Sequence, residues 1–245
     1  MLHHRFIGNS KAKNLIVFLH EGLGCIEMWK SFPQMVVDAL DCYGLVYDRS
    51  GYGNSKGSLI DRDVDYLHQA AEELNNFIHK LNLEEYDISL YGHSDGGSIA
   101  LIYAGNHPEK IKYLITEAAH AFVEQVTLDG VKAAIQPFKD GKLDGLKKFH
   151  GDRFEEVFWA WNNIWLDPRF EPWNILEELK RINVPSLIIQ GIDDQYGTPK
   201  QVKDIVNSIG ATATPLLIEN TGHSPHKTHA SKIIEALSRK FDWDE

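Results

Sequence analysis

Cysteine is nearly absent. The 245-residue chain holds two, Cys25 and Cys42, too few for a disulfide framework and not in a C-x-x-C spacing, so both read as ordinary thiols. Basic residues are in deficit, with 25 Lys and Arg against 35 Asp and Glu and a formal balance of −10. A nucleic-acid backbone is neutralised by clustered Lys and Arg; no such stripe is present, and nucleic acid is not an expected partner. Long apolar runs are missing too. Leu15 to Leu19, the longest, has five residues where a bilayer span needs about 20, so no membrane span is expected. Met1 to Asn14 lacks the apolar stretch of a secretion signal, which makes a cytoplasmic address the expectation. Hydrophobic residues at 43% and charged residues at 24% are ordinary for a folded chain and exclude disordered or collagen-like classes. At this length folding hides roughly 70–75% of the unfolded surface, enough for one domain with an insertion.

Six short β-rich runs end at turns containing glycine or aspartate: Leu15–Leu19, Leu45–Tyr47, Tyr86–Tyr91, Ile111–Ile115, Ser186–Gln190 and Thr214–Ile218. Apolar residues on consecutive positions indicate strands covered on both faces, as in a mainly parallel sheet. Helical spacing follows over 63–81, where Val64, Leu67, Ala71, Leu74, Phe77, Ile78 and Leu81 recur at three-to-four-residue steps, and over 96–105 and 228–241. The alternation predicts an α/β fold. From 118 to 181 no strand pattern occurs, and Leu143, Leu146, Phe149, Phe154, Val157, Phe158, Trp161 and Trp165 fall at helical spacing. This stretch reads as a helical insertion, with 1–117 and 182–245 forming the core. It carries Trp159, Trp161, Trp165 and Trp173, four of the six tryptophans. His120, Trp159, Trp161 and Trp165 are the candidate pocket residues.

Gly92-His93-Ser94-Asp95-Gly96 fits G-x-S-x-G, a strand-to-helix turn that exposes a serine hydroxyl. Gly53-Asn54-Ser55-Lys56-Gly57 fits the same template, so context decides. Ser94 directly follows the Ile88–Tyr91 run and precedes an apolar helical stretch. The strand at Leu45–Tyr47 ends five residues before Gly53, and Gly57 leads into Ser58-Leu59-Ile60-Asp61 without an immediate helix. Ser94 is therefore the candidate nucleophile and Ser55 a loop residue.

A serine hydroxyl needs a base to take its proton and a carboxylate to fix that base. Among 12 histidines, His223 lies in the loop after Thr214–Ile218 and before the last helix, at the sheet edge expected for Ser94. His226 and His229 extend it into H-x-x-H-x-x-H, but no cysteine or paired acid accompanies the run, so no metal site is expected. His20 and His93 read as structural neighbours of the turn. Ser186–Gln190 runs into Gly191-Ile192-Asp193-Asp194, and Asp194 is the preferred acid; Asp193 suits a turn-capping role, and Glu117 is the minority choice.

These features together resemble the α/β-hydrolase superfamily over nearly the whole chain apart from the insertion. The resemblance rests on the Ser94 turn, Gly191 to Asp194, Gly222-His223, and His20-Glu21-Gly22-Leu23-Gly24, which is similar to the family's H-G-x-x-G turn with Glu21 where glycine is usual. It implies a mainly parallel central sheet flanked by helices, a helical lid after the sixth family strand, and no cofactor. It also implies an oxyanion hole built from the backbone N–H of Asp95 and that of Gly22, with Leu23 as second choice. Asp48 to Ser55 resembles the family's D-x-x-G-x-G-x-S structural corner.

The expected activity is a serine hydrolase acting on a small-molecule carboxylic ester with an apolar or aromatic group. Two alternatives use the same three residues. One is C–C bond hydrolysis of a vinylogous diketo acid, for which Arg153 or Arg169 would supply a fixed cation. The other is cleavage of a methyl ester on an acyl carrier protein, for which Lys132, Lys139, Lys142, Lys147, Lys148 and Arg153 would form a docking face. A ligand-binding receptor with little turnover is the non-enzymatic alternative.

Overall fold

The computed structural model describes residues 1–59 and 62–243. Seven strands, β1 (His4–Gly8), β2 (Asn14–Leu19), β3 (Tyr43–Tyr47), β4 (Asp87–His93), β5 (Tyr113–Glu117), β6 (Ser186–Gly191) and β7 (Ala213–Ile218), form one sheet in the order β1-β3-β2-β4-β5-β6-β7. β1 runs antiparallel to β3 and the other pairings are parallel. The helices described are α1 (Phe32–Leu40), α2 (Tyr66–Lys80), α3 (Asp95–Asn106), α4 (Gln125–Ala133), α5 (Ile135–Lys139), α6 (Lys147–His150), α7 (Phe154–Trp165), α8 (Leu176–Leu179), α9 (Pro199–Ile209) and α10 (Pro225–Lys240). The α/β fold with a mainly parallel, helix-flanked sheet is as the apolar runs predict.

The consecutive apolar residues of β2 are divided between two cores. Leu15, Val17 and Leu19 join residues of α2 and α3 on one face; Ile16 and Phe18 join residues of α1 and α10 on the other. A strand turns alternate side chains to opposite faces, so a run apolar at every position is what a doubly covered strand requires.

Three elements carry no expectation above: β1, α1 and α9. β1 is a half-exposed edge strand with the polar sequence HRFIG, which has neither an apolar run nor alternation. α9 has a capped start, where Thr198 Oγ1 accepts the Lys200 N–H and Pro199 occupies the first turn, and an apolar face of Val202, Ile205 and Ile209 at helical spacing. Pro215 sits in β7, the other edge of the sheet, where a missing N–H is tolerated.

Helices α4 to α8 lie between β5 and β6, and within that stretch one isolated bridge, Phe122 to Asn174, is the strand-like contact. α7 turns Val157, Phe158, Trp161, Ile164 and Trp165 inward. Phe158 stacks on Phe138 at 3.8 Å between ring centroids; Phe158, Trp161, Ile164 and Trp165 join the same core as α2 and α3, while Val157 packs with Tyr52 and Leu59.

The parallel register brings the carboxyl ends of the strands to one rim. Leu19 pairs with Gly92, His93 with Glu117, Glu117 with Ile189, and Gly191 with Ile218. The loops that follow carry Glu21, Ser94, Asp194 and His223, the usual placement of a site in an open parallel sheet.

Crossings near this rim are too close for a side chain. A Cβ on Gly96 would lie 2.1 Å from the carbonyl oxygen of Leu19, and one on Gly92 would lie 2.2 Å from that of Gly96. Gly145 has nothing within 4 Å of the same position. Gly96→Ala is expected to cost about 3 kcal/mol through overpacking against backbone, a fall in melting temperature of about 6–12 °C for a chain of this size. Gly145→Ala is expected to change stability by less than about 0.5 kcal/mol. Chemical denaturation of the two variants side by side checks this, and equal stabilities would refute the crossing argument.

Candidate active site

Ser94 joins β4 to α3 in a backbone conformation of φ 53°, ψ −120°, a region that a residue with a Cβ enters only at a cost of about 1–3 kcal/mol. The strain is held on both sides. The Ser94 N–H donates to the Glu117 carbonyl at 2.8 Å, and the Ser94 carbonyl accepts from Ser98 N–H at 3.0 Å. The side chain is nearly buried, at 7% exposure, and faces a cavity of about 280 Å³.

His223 Nε2 lies 2.9 Å from Ser94 Oγ. Its Nδ1 lies 2.9 and 3.0 Å from the two carboxylate oxygens of Asp194. A carboxylate accepts only, so the proton of the neutral ring belongs on Nδ1 and the Nε2 lone pair faces the serine hydroxyl. Asp194 also accepts from the Tyr196 N–H at 2.9 Å. Burial would raise its carboxyl, but attraction to His223 and these hydrogen bonds hold it below the ordinary carboxylate value. Ser94, Asp194 and His223, separated in sequence, thus form one hydrogen-bonded chain. Asp193 is exposed beside it.

Glu117 does not reach His223. One of its oxygens accepts from the His226 backbone N–H at 2.9 Å and faces His226 Nδ1 at 2.8 Å; the other accepts the Tyr91 hydroxyl at 2.7 Å. The residue therefore ties β5 to the start of α10, close behind the His223 loop. His229 goes elsewhere again, with Nδ1 3.0 Å from Thr221 Oγ1. The three histidines of H-x-x-H-x-x-H face three different partners. Among the described residues His93, Glu117 and His226 bring metal-binding atoms together, but both Glu117 oxygens already accept hydrogen bonds.

His20 caps the neighbouring turn. Its Nε2 accepts the Arg49 N–H at 3.1 Å and its Nδ1 faces the Glu21 carbonyl at 2.8 Å; burial, then the Arg49 charge, keeps the ring well below the ordinary imidazole value and so neutral. The Gly24 N–H donates to the Glu21 carbonyl at 3.0 Å, closing a turn that leaves Gly22 and Leu23 at its tip. Both line the cavity with Asp95. A Cβ at 22 would lie 2.5 Å from the Trp161 ring, so any larger residue there would have to displace that indole. The Asp95 N–H opens α3, where the first N–H groups of a helix have no partner within it.

Of the candidate pocket residues, His120, Trp161 and Trp165 line the cavity and Trp159 does not. Positions 161 and 165 are four apart and share one face of α7, whereas 159 is turned away from it. Trp159 packs edge-on against Phe138 and Phe158 and borders a separate cleft with Leu59 and Arg62. Met28, Thr127, Val131, Leu143, Leu146, Gln195, Tyr196 and Ser224 also line it, none of them a candidate pocket residue above. Tyr196 sits edge-on to His223 at 4.8 Å. Asp194-Gln195-Tyr196 adjacency was the available signal. The Asp95 side chain was also missed. It is buried, accepting from the Tyr66 hydroxyl at 3.1 Å and Trp165 Nε1 at 3.3 Å.

Ser55 holds the corner before α2. Its hydroxyl donates to the Asp48 carbonyl at 2.6 Å and accepts the His3 N–H at 2.8 Å, while the Asp48 carboxylate accepts from Ile26 and Asn54 N–H groups. Ser58 and Leu59 that follow are irregular; Ile60 and Asp61 lie outside the described residues. Arg153 donates to the carbonyls of Gly51, Gly53 and Ser55, and Arg169 is an exposed partner of Asp167. Neither lines the cavity.

A family described as the alpha/beta hydrolase family matches residues 16–236. Proline iminopeptidase of Lactobacillus acidophilus is 24% identical over 282 residues, spanning 98% of this chain and 94% of that protein. The human serine hydrolase BPHL is 26% identical over 156 residues, spanning 61% of this chain and 53% of that protein. Among solved structures, the enol-lactonase of Burkholderia xenovorans LB400 superposes with a TM-score of 0.76 at 18% identity, over 97% of this chain and 95% of that one.

Burial opposes ionisation of Glu117, but the charge and hydrogen bonds of His226 outweigh it and push the carboxyl from 4.5 down to about 2. A carboxyl lowered on folding stabilises the fold above its unfolded value and loses that contribution as pH falls toward the folded one. The contribution here is of order 3 kcal/mol. Wild-type stability is expected to fall between about pH 4.5 and 2, with a flatter curve for Glu117→Gln, itself weaker at neutral pH. Urea denaturation across pH 2–7 measures both slopes, and identical slopes would contradict the assignment.

Proposed function

The chain belongs to the alpha/beta hydrolase family, and from that premise we propose that it is a serine hydrolase cleaving small to medium carboxylic esters through an acyl-enzyme on Ser94. The observation that carries this reading is the unbroken hydrogen-bonded chain from Asp194 through His223 to a serine at positive φ that faces a cavity.

His223 Nε2 takes the hydroxyl proton as Ser94 Oγ attacks the carbonyl carbon. The carbonyl π electrons move to oxygen, which the N–H groups of Asp95 and of Gly22 or Leu23 stabilise, each donor lowering the barrier by about 3–4 kcal/mol. As the tetrahedral species collapses, the alcohol leaves with the proton from His223. Water then attacks the acyl-enzyme with His223 as base, releasing the acid and restoring the serine hydroxyl. Asp194 keeps the ring in the tautomer that serves both halves.

The substrate class follows from the cavity walls. Trp161 and Trp165 of α7, Val131 of α4, and Leu143 and Leu146 between α5 and α6 make it largely apolar, and the segment from α4 to α8 that supplies them acts as a lid. Glu21 and Asp95 also line it, and no Lys or Arg does. A carboxylate-bearing substrate would meet like charge with no fixed cation to answer it, so the diketo-acid reaction is disfavoured and a neutral ester favoured. A second reading keeps one supporting observation: Lys142 and Lys147 are exposed immediately beside the lining residues Leu143 and Leu146, a placement suited to an ester presented by an acidic carrier protein.

Ser94→Ala is expected to remain folded, to lose labelling by a fluorophosphonate and to lose at least about 10³-fold in kcat on a short-chain nitrophenyl ester. A variant that hydrolyses at the wild-type rate would end the assignment. In a kcat/KM panel of neutral esters, carrier-bound esters, prolyl arylamides and dienone acids, neutral esters are expected to lead and anionic acids to come last. No turnover and no labelling of the wild type would favour a ligand-binding role.

A further inference from the structure

Glu21 lies in the turn that follows β2, and the mechanism above gives its carboxylate no role. The side chain is 18% exposed, and one oxygen lies 3.6 Å from Nδ1 of His93. His93, at 1% exposure, immediately precedes the nucleophile. Its Nε2 faces the backbone carbonyl of His223 at 2.7 Å, and its ring lies 5.3 Å from the His223 ring. Nδ1 has no hydrogen bond within ordinary reach, and Glu21 is the carboxylate that faces it.

Other ionisable groups near His93 are occupied. On its far side His226 lies 5.0 Å away but is paired with Glu117. The neutral His20 ring is bound to the Arg49 N–H. Burial disfavours the Glu21 charge, yet His93, with help from Lys227, holds the carboxyl far below the ordinary range, so Glu21 is a constant negative charge.

We propose that Glu21 is a positioning residue that acts through His93 to hold the carbonyl of His223, and so aims the His223 imidazole at the Ser94 hydroxyl. The inference rests on the serine hydrolase reading. Acceptors flank both nitrogens of His93, the carboxylate at one and the carbonyl at the other. A ring bearing both protons satisfies the two together and makes the carbonyl bond charge-assisted. The arrangement parallels the carboxylate that orients a metal-binding or catalytic histidine, here displaced by one residue and directed at the base's backbone instead of its side chain. Without Glu21 the carbonyl keeps a weaker bond, and the His223 loop can drift. Misplacement of a reacting group by about 1 Å costs up to about 100-fold in rate.

The test uses fluorophosphonate labelling, which needs an activated Ser94 but not the natural substrate. Glu21→Gln, which keeps size and removes charge, is expected to lower the maximal inactivation rate about tenfold with reagent affinity within twofold and melting temperature nearly unchanged. His93→Gln is expected to have a similar effect, and the double variant to be no slower than either single one, because two residues acting through one contact are not additive. The imidazole ¹⁵N shifts of His93 are expected to move in Glu21→Gln, a readout that needs no second variant to fold. Wild-type labelling rates in Glu21→Gln, effects that multiply in the double variant, or unmoved His93 shifts would each overturn the inference. Absence of labelling in the wild type would instead overturn the serine hydrolase reading beneath it.

Discussion

A single backbone conformation organises this molecule: Ser94 is held at positive φ where β4 turns into α3. An L-residue stays there only if its surroundings over-determine it. They do so by contact. Gly92 and Gly96 let the turn pass within 2.2 Å, measured from a notional Cβ, of neighbouring carbonyls, and the Ser94 N–H is bonded to the adjacent strand. The sheet register then determines what stands opposite the hydroxyl. Gly191 repeats the device one crossing away, where a Cβ would lie 2.1 Å from the Thr221 carbonyl. That closeness brings the Asp194 and His223 loops together.

Charge is placed around this turn in pairs. Asp194 faces His223, Glu117 faces His226, and Glu21 faces His93. Leaving a carboxylate in a poorly solvated rim without a partner would cost several kcal/mol, so each acid near the rim comes with an imidazole. Asp95 is the departure, held by a tyrosine hydroxyl and an indole N–H. The pairing explains why a −10 chain spends several histidines within a few ångströms of one serine. It also separates contacts: one pair touches Ser94, and the others join the segments around it.

Much of this was legible from residue order. Short apolar runs marked β2 to β6 because a buried parallel strand needs apolar residues on both faces, and marked β7 although that edge strand is largely uncovered. The choice of Ser94 over Ser55 followed from a strand before and a helix after. Elements at the edge were harder to see. β1 is polar because one side of it meets water, and α9 is short, with an apolar face of only Val202, Ile205 and Ile209. One of the four candidate pocket residues, Trp159, falls outside the cavity for the same kind of reason. Trp159 and Trp161 are equally hydrophobic, and only the rotation of α7 against the core tells which one meets the cavity.

Composition, strand pattern and the context of one glycine-flanked serine were enough to set the α/β architecture and to nominate Ser94, Asp194 and His223, because period and turn chemistry are local properties. Which acid serves which histidine is not local. His223, His226 and His229 are spaced identically along the chain yet meet Asp194, Glu117 and Thr221, and Glu21 meets His93 across 72 residues. Those partnerships depend on how strands stack at one rim and how closely loops cross there, and packing in three dimensions alone decides that.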